Sequence, residues 1–171
     1  ELMRILMDEY FLSWEKAWDI TVRTVSYTNH TVMPEALEKW SEDIFGLKLP
    51  RIHMIVKEIN ERFGREAWNA YPGNWNRIAG MSVLSYGQVN MANLAVIGSH
   101  SINGVSKLHS EILKESLFKS FYRMYPERFT NVTNGVAHRR WLCYSNPRLA
   151  APLDECIGTA YRKDPEQLAD F

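Results

Sequence analysis

The fold of this chain is decided by residues 90–114, which read NMANLAVIGSHSINGVSKLHSEILK. Residues 89–97 are apolar enough to be buried, and their periodicity fits a strand as well as a helix. Small residues occupy 98–104, and a helix is predicted from residue 105 to about residue 123. The inner face of that helix is expected to carry Leu108, Ile112, Leu117 and Phe121. The stretch therefore predicts a buried segment, a loop of small residues and an amphipathic helix in succession.

Signals for the start of a helix recur along the rest of the chain. Helices are predicted to begin at or just after Ser13, Pro34, Pro50, Asn74, Asn146 and Asp164. The first is expected to run to about Thr24, and the short one after Pro34 to end near Trp40. In the helix after Pro50, apolar residues recur at helical intervals as far as Phe63, which predicts one buried face.

Only a few segments favour extended chain. Residues 26–32 and 128–135 are rich in β-branched and turn-forming residues, and the second segment ends in the tight-turn pair Asn134-Gly135. On the chemistry of the residue alone, Asn134 is expected to be a turn residue with a positive φ angle. The predicted fold class is mostly α with few short strands, and a domain boundary, if there is one, is expected near the Asn-Gly turn.

Composition excludes several classes of partner. The 171 residues include 20 Lys and Arg against 20 Asp and Glu, and this balance argues against nucleic acid or an anionic membrane as a partner. No apolar run reaches the roughly 18 to 20 residues that span a bilayer. The two cysteines, Cys143 and Cys156, match no disulfide framework or zinc motif, so a reducing cytoplasm is the expected location. The start at Glu1 rather than Met leads us to expect an excised segment.

General catalytic motifs are missing from the sequence. Residues 98–107 resemble a phosphate-binding loop only superficially, since the Gly-Lys-Ser/Thr ending is absent, and no GxGxxG, HExxH or GxSxG motif occurs. His30 and His100 can each be read as a ligand-binding imidazole or as a structural histidine, and the structural role is the commoner one. Residues 139–141, Arg-Arg-Trp, can be read as an anion site or as a solvated basic pair.

Three runs nevertheless resemble one known family. They are residues 90–114, residues 27–40 (YTNHTVMPEALEKW) and residues 131–142 (NVTNGVAHRRWL). These runs are similar to the α-glucan phosphorylases, the family of glycogen, starch and maltodextrin phosphorylases, and they occur in that family's order and at nearly its spacing. Because residues 1–4 match as well, the resemblance covers essentially the whole chain.

The resemblance implies both a fold and an activity. The parent would be a two-domain α/β enzyme of the GT-B type, in which residues 1–134 end the N-terminal Rossmann-like domain and residues 135–171 begin the C-terminal cofactor-binding domain. It would transfer a terminal α-1,4-linked glucosyl unit of a glucan to inorganic phosphate and release glucose 1-phosphate. Pyridoxal phosphate would relay a proton to the substrate phosphate. The lysine to which this cofactor is attached would lie outside these 171 residues. The parent would be a cytoplasmic homodimer.

The resemblance also assigns roles to individual residues. His30 and Asn134 match the catalytic-site residues that contact the 6-hydroxyl of the reacting glucosyl unit. Val105 matches a residue packed against the glucose ring, Gly104 leaves room for it, and Trp141 matches a tryptophan beside the cofactor ring. Three further residues match the channel beside the sugar: Thr31, Ala36 and Glu38.

Two other interpretations stay open at the level of sequence. The first is a non-catalytic helical module that binds an oligosaccharide, and the second is a GT-B glycosyltransferase that uses a sugar nucleotide. In the phosphorylase interpretation the isolated chain is expected to be inactive, because the groups that bind cofactor and phosphate belong to other parts of the family's sequence. Tight binding of maltooligosaccharides by the isolated chain would favour the binding module.

Overall fold

The computed structural model describes all 171 residues, which form two compact units, Glu1–Thr133 and Asn134–Phe171. The first unit contains eight α-helices: α1 (Leu2–Arg4), α2 (Trp14–Thr24), α3 (Glu42–Lys48), α4 (Pro50–Ala70), α5 (Trp75–Met81), α6 (Met91–Ile97), α7 (Lys107–Ile112) and α8 (Lys119–Met124). The second unit contains α9 (Pro147–Ile157). The prediction of a mostly helical chain with few short strands is confirmed. None of the helices combines the length and the apolar character that crossing a membrane requires.

Six short strands form two sheets in the first unit. They are β1 (Tyr27–Thr28), β2 (Lys39–Ser41), β3 (Leu84–Ser85), β4 (Gln88–Asn90), β5 (Ile102–Gly104) and β6 (Phe129–Asn131). One sheet is parallel in the order β1-β5-β6, with Ile102 opposite both Tyr27 and Phe129. The other is antiparallel in the order β2-β4-β3. The parallel sheet brings together three segments that are far apart in the sequence.

Helix starts follow the predicted capping residues. The side chain of Ser13 accepts a hydrogen bond from the Lys16 N–H at 3.4 Å, and Asn74 accepts one from the Arg77 N–H at 3.2 Å. Each of these bonds satisfies a backbone donor that has no partner within the first turn of its helix. The prediction of helices after Ser13, Pro50 and Asn74 is therefore confirmed.

The core of the first unit is built around α4. Ile55, Ile59, Phe63 and Ala67 recur every four residues on this helix and are all buried. The Phe63 ring stacks on Phe121 of α8, with centroids 5.7 Å apart. Burial of one apolar face along about three turns explains why this long helix is stable.

The ambiguous segment 89–97 is divided between two elements. Its first residues belong to β4, and α6 begins at Met91. The side-chain amide of Asn90 donates to the carbonyl oxygens of Ser82 and Val83, at 3.2 and 3.3 Å. Asn90 therefore fixes the end of the strand, and the chain turns directly into the helix.

The single helix predicted over residues 105–123 is wrong in detail. Helix α7 begins only at Lys107, after the capping residue Ser106, and a π-helical turn at Leu113–Leu117 separates it from α8. The Phe118 N–H donates to the Leu113 carbonyl at 2.8 Å, one residue further back than in an α-helix. This wider turn rotates the helix face, and Leu113 and Phe118 are both buried.

Leu108 does not lie on the inner face, because its side chain is 73% exposed. The buried residue of α7 is Ser110. Ser110 is two positions after Leu108, so the two side chains point about 200° apart around the helix axis. The prediction for Leu108 is therefore wrong, and the reason is that the small side chain of Ser110 is needed where α7 approaches β5.

Two further local predictions are corrected. The helical turn after Pro34 ends at Ala36, and Trp40 lies in β2, where it pairs with Val89. Pairing of β2 with β4 requires extended chain, and this overrides the local helix signal. Neither Asn134 nor Gly135 has a positive φ angle, so the predicted tight turn is not formed there.

The second unit is organised around Tyr161. It consists of a π-helical segment Arg139–Tyr144, then α9, then short 3₁₀ segments Ala160–Arg162 and Pro165–Asp170. The fully buried Tyr161 donates from its hydroxyl to Asp154 Oδ1 at 2.9 Å, and its carbonyl accepts from His138 Nε2 at 3.0 Å. Asn146 caps α9 as predicted, by accepting from the Leu149 N–H at 3.3 Å.

Candidate functional site

The candidate site lies at the carboxyl ends of the parallel strands. Strands β1, β5 and β6 end at Thr28, Gly104 and Asn131, and because they are parallel all three ends lie at one edge of the sheet. We call this the carboxyl edge. Ligands of parallel sheets bind in the crevice outside such an edge. The residues that follow these three strands are therefore the first candidates for a site.

A single imidazole connects two of these segments. His109, on α7, accepts the Val105 N–H at Nδ1 over 3.2 Å. Its Nε2 lies 3.2 Å from Asn29 Oδ1 and 3.1 Å from the Thr31 carbonyl oxygen. Since Nδ1 accepts and both partners of Nε2 are acceptors, the ring is neutral and carries its proton on Nε2. The segment after β1 is thereby joined to the segment after β5.

Asn29 fixes the backbone on either side of His30. Its side chain is buried, donates from Nδ2 to the Tyr27 hydroxyl at 2.9 Å, and accepts the Thr31 N–H at Oδ1 over 2.8 Å. Burial raises the pKa of the Tyr27 phenol, and the Asn29 hydrogen bond lowers it by a smaller amount. His30 itself is exposed at the tip of this turn. A turn held by hydrogen bonds thus presents an exposed polar side chain to solvent.

A glycine allows α7 to lie directly against β5. A Cβ atom on Gly104 would lie 2.7 Å from Ser110 Oγ and 2.9 Å from the Ser110 backbone nitrogen. Such distances are far inside van der Waals contact, so only glycine fits this position. The Ser110 hydroxyl also lies 2.8 Å from Asn131 Oδ1, which connects α7 to the end of β6.

The structure brings four of the sequence-predicted residues together at the carboxyl edge. They are His30, Thr31, Gly104 and Val105. Ala36 and Glu38 lie further along the chain and are exposed. The Glu38 carboxylate accepts from the Trp40 indole nitrogen at 2.6 Å.

The other two predicted residues belong to the second unit. Asn134 is its first residue and is exposed. Trp141 lies in the segment Arg139–Tyr144 and is 62% exposed, with the Arg140 guanidinium carbon 4.9 Å from the centre of its ring.

The chemistry of the carboxyl edge is neutral. Its donors and acceptors are amides, hydroxyls, backbone groups and an uncharged imidazole, as the hydrogen bonds of Asn29, His109 and Ser110 show. No group of three or more His, Cys, Asp or Glu side chains in the chain is arranged to hold a metal ion. Neutral groups that both donate and accept suit the hydroxyl groups of a sugar, because they impose no full charge on it.

Sequence reasoning missed the residues that hold this edge in place. Asn29, His109, Ser110 and Asn131 received no role from the sequence, although their hydrogen bonds position the predicted residues. His109 and Asn29 are 80 residues apart. The available local signal was Ser106, whose capping hydroxyl accepts the His109 N–H at 3.1 Å and so fixes the start of α7.

Fold and edge together define a helix-covered parallel sheet with neutral polar groups at its carboxyl end, as in α/β proteins that bind ligands there. The entire chain, residues 1–171, matches the family model of the carbohydrate phosphorylases. The chain therefore belongs to the carbohydrate phosphorylase family.

Named relatives agree with this family. Glycogen phosphorylase of Bacillus subtilis (strain 168) is 56% identical over 98% of this chain and 21% of its own length. The muscle forms of glycogen phosphorylase from Ovis aries and Homo sapiens are 50% and 49% identical, over 98% of this chain and 20% of theirs. The chain thus spans about a fifth of the length of these relatives.

Proposed function

We propose that this chain is a segment of an α-glucan phosphorylase, and that it supplies side chains that hold the reacting glucosyl unit. One observation carries the proposal. Hydrogen bonds made by the side chains of Asn29 and His109 fix the turn at Asn29–Thr31, while the side chain of His30, in the middle of this turn, is exposed. A preorganised turn with a free polar side chain is what a binding residue at a carboxyl edge requires. Membership of the family supplies the class of substrate.

In this proposal His30 hydrogen-bonds the 6-hydroxyl of the terminal glucosyl unit. A neutral imidazole can donate to or accept from that hydroxyl as the unit leaves the glucan and joins inorganic phosphate. Val105 packs against the sugar ring, and Gly104 lets the strand end approach it closely. Asn134 is proposed to contact the same hydroxyl, because it matches the asparagine of the family motif.

Three further residues are proposed to line the channel beside the sugar. They are Thr31, Ala36 and Glu38. Both backbone polar groups of Thr31 are engaged, its N–H with Asn29 and its carbonyl with His109, so its position is set by the first unit alone. Ala36 and Glu38 are exposed, which leaves them accessible to a glucan.

Pyridoxal phosphate is proposed as the cofactor of the full-length enzyme. Trp141 fits a place beside its ring, because the indole is exposed and a guanidinium lies over only one of its faces. When bound, the cofactor's phosphate would supply a proton to the substrate phosphate. The attachment lysine is expected outside these 171 residues.

Residues 1–134 are assigned to the end of the N-terminal Rossmann-like domain and residues 135–171 to the start of the cofactor-binding domain of a GT-B enzyme. The separation of two compact units after Thr133 supports this boundary. The full-length enzyme is proposed to be a homodimer in the cytoplasm, where the free thiols of Cys143 and Cys156 would stay reduced.

The experiment is phosphorolysis of maltoheptaose by the full-length enzyme. His30→Ala is expected to lower kcat/KM by roughly tenfold to a thousandfold, the scale of losing a transition-state hydrogen bond. His100→Ala is the matched control, because His100 is also exposed but its Nδ1 bonds to the Val22 carbonyl at 3.1 Å, before β5 begins. Unchanged kinetics in His30→Ala would remove His30 from the site. A full-length protein without phosphorolysis would refute the proposed function.

A further inference from the structure

The end of the β1 ladder leaves the turn around His30 without support from the sheet. The last ladder bond joins the Asn29 N–H to the Asn103 carbonyl at 2.9 Å. Within residues 30–32 the other hydrogen bonds are local: Asn29 Oδ1 accepts the Thr31 N–H, and Thr31 Oγ1 accepts the Met33 N–H. The bond from His109 Nε2 to the Thr31 carbonyl is therefore the one hydrogen bond that ties residues 30–32 to another secondary-structure element.

His109 is itself held from two sides. Its N–H donates to the capping hydroxyl of Ser106 at 3.1 Å, and its Nδ1 accepts the Val105 N–H at 3.2 Å. The ring is part-buried, and its partners require the tautomer with the proton on Nε2. The position of the His109 ring is thus set by α7 and by Val105, the residue that follows β5. Its contact with the turn after β1 is a separate interaction.

We infer that His109 is a positioning residue for the reacting sugar: its imidazole sets the place of the His30 turn relative to Val105. The inference rests on the proposed function, in which His30 contacts the 6-hydroxyl and Val105 packs against the ring. One arm of the imidazole ends on Val105 and the other on Thr31, directly beside His30. The distance between the two sugar contacts is then determined by one rigid ring.

Two substitutions separate the arms of the ring. In His109→Asn the amide oxygen falls near the position of Nδ1 and can accept from Val105, but the side chain is too short to reach Thr31. In His109→Gln the terminal amide nitrogen falls near the position of Nε2 and can still donate to Thr31 or Asn29. His100→Asn is the matched control, because the side chain of this histidine bonds only to the Val22 carbonyl, away from the carboxyl edge.

The assay is glucan elongation by the full-length enzyme, with glucose 1-phosphate and with 6-deoxyglucose 1-phosphate as donors. His109→Asn is expected to lower kcat/KM for glucose 1-phosphate by about tenfold to a hundredfold, the scale of a misplaced contact. For the 6-deoxy donor the loss is expected to shrink to about threefold or less, since the hydroxyl that His30 contacts is gone. His109→Gln is expected to lose less than His109→Asn, and His100→Asn is expected to lose nothing.

The outcomes separate this inference from the function on which it rests. Equal losses on both donors would show a merely structural role, and they would overturn the inference while leaving the function intact. Wild-type activity retained in His109→Asn would overturn it as well. If His109→Asn fails to fold by circular dichroism, His109→Gln decides: a loss on glucose 1-phosphate that shrinks on the 6-deoxy donor supports the inference, and an equal loss on both donors refutes it. A wild-type enzyme without activity would overturn both.

Discussion

Replacing Gly104 with alanine tests the contact between β5 and α7. The added Cβ would lie 2.7, 2.9 and 3.0 Å from the Oγ, N and Cα atoms of Ser110, whereas ordinary contacts begin near 3.4 Å. Two of these three atoms belong to the helix backbone, so no side-chain rotation relieves the clash. Helix and strand must separate by about 0.4 to 0.7 Å.

The expected cost follows from these distances. Overpacking a close-packed site costs about 1 to 3 kcal/mol, and a clash with backbone belongs at the upper end of that range. Alanine also reduces the entropy of the unfolded chain, which offsets the loss by up to about 1 kcal/mol. We therefore expect Gly104→Ala to lower the free energy of unfolding by about 2 kcal/mol.

Gly64→Ala is the matched control, because Gly64 lies inside α4 and an added Cβ would meet nothing within 4 Å. This change is expected to raise the free energy of unfolding by about 0.5 to 1 kcal/mol through better helix propensity. Equilibrium urea unfolding, followed by tryptophan fluorescence, measures both variants. If Gly104→Ala were as stable as Gly64→Ala, the close contact between β5 and α7 would be refuted.

Three smaller perturbations test other parts of the chain. Asn146→Ala removes the cap bond to the Leu149 N–H and is expected to lower the free energy of unfolding, measured in urea, by about 1 kcal/mol. An unchanged free energy of unfolding would contradict a stabilising cap at this position. Ile102→Val, at a fully buried position of β5, is expected to cost about 1 kcal/mol in the same assay, and a neutral result would contradict close packing there. Arg51 donates to Asp8 at 2.8 Å and lowers the pKa of Asp8. A lowered folded-state pKa stabilises the fold above the unfolded value of about 4, and this contribution is lost as pH falls further. Thermal melts between about pH 6 and pH 2 should therefore show a weaker acid dependence in Asp8→Asn, and identical profiles would contradict the ion pair.

Helix starts were predictable because their causes are local. The caps at Ser13, Asn74 and Asn146 involve an acceptor and an N–H only three residues apart, so the sequence contains both partners. The long α4 was equally accessible, since its buried residues repeat at helical spacing and bury one face.

Predictions failed where a distant segment decided the outcome. Leu108 has the spacing of a core residue, yet Ser110 faces β5 because only a small side chain fits beside Gly104. Trp40 follows a helix-starting proline, yet it is extended because β2 pairs with β4 through Val89. In both cases a tertiary contact outweighed a local preference that is worth well under 1 kcal/mol per residue.

The candidate site shows the same division. Family resemblance pointed to His30, Thr31, Gly104 and Val105, and the structure places all four at the carboxyl edge of the parallel sheet. It could not point to His109, because the hydrogen bonds of this residue reach Asn29 and Thr31 across nearly half the chain.

The family, the capped helix starts and the neutral charge balance could all be predicted from the sequence, because motifs, caps and composition are properties of neighbouring residues or of the whole chain. The folded chain was needed to identify the buried helix faces and the side chains that fix the turn around His30. The physical reason is that hydrogen bonds and close contacts join atoms in space, and strands β1, β5 and β6 become neighbours only when the chain has folded.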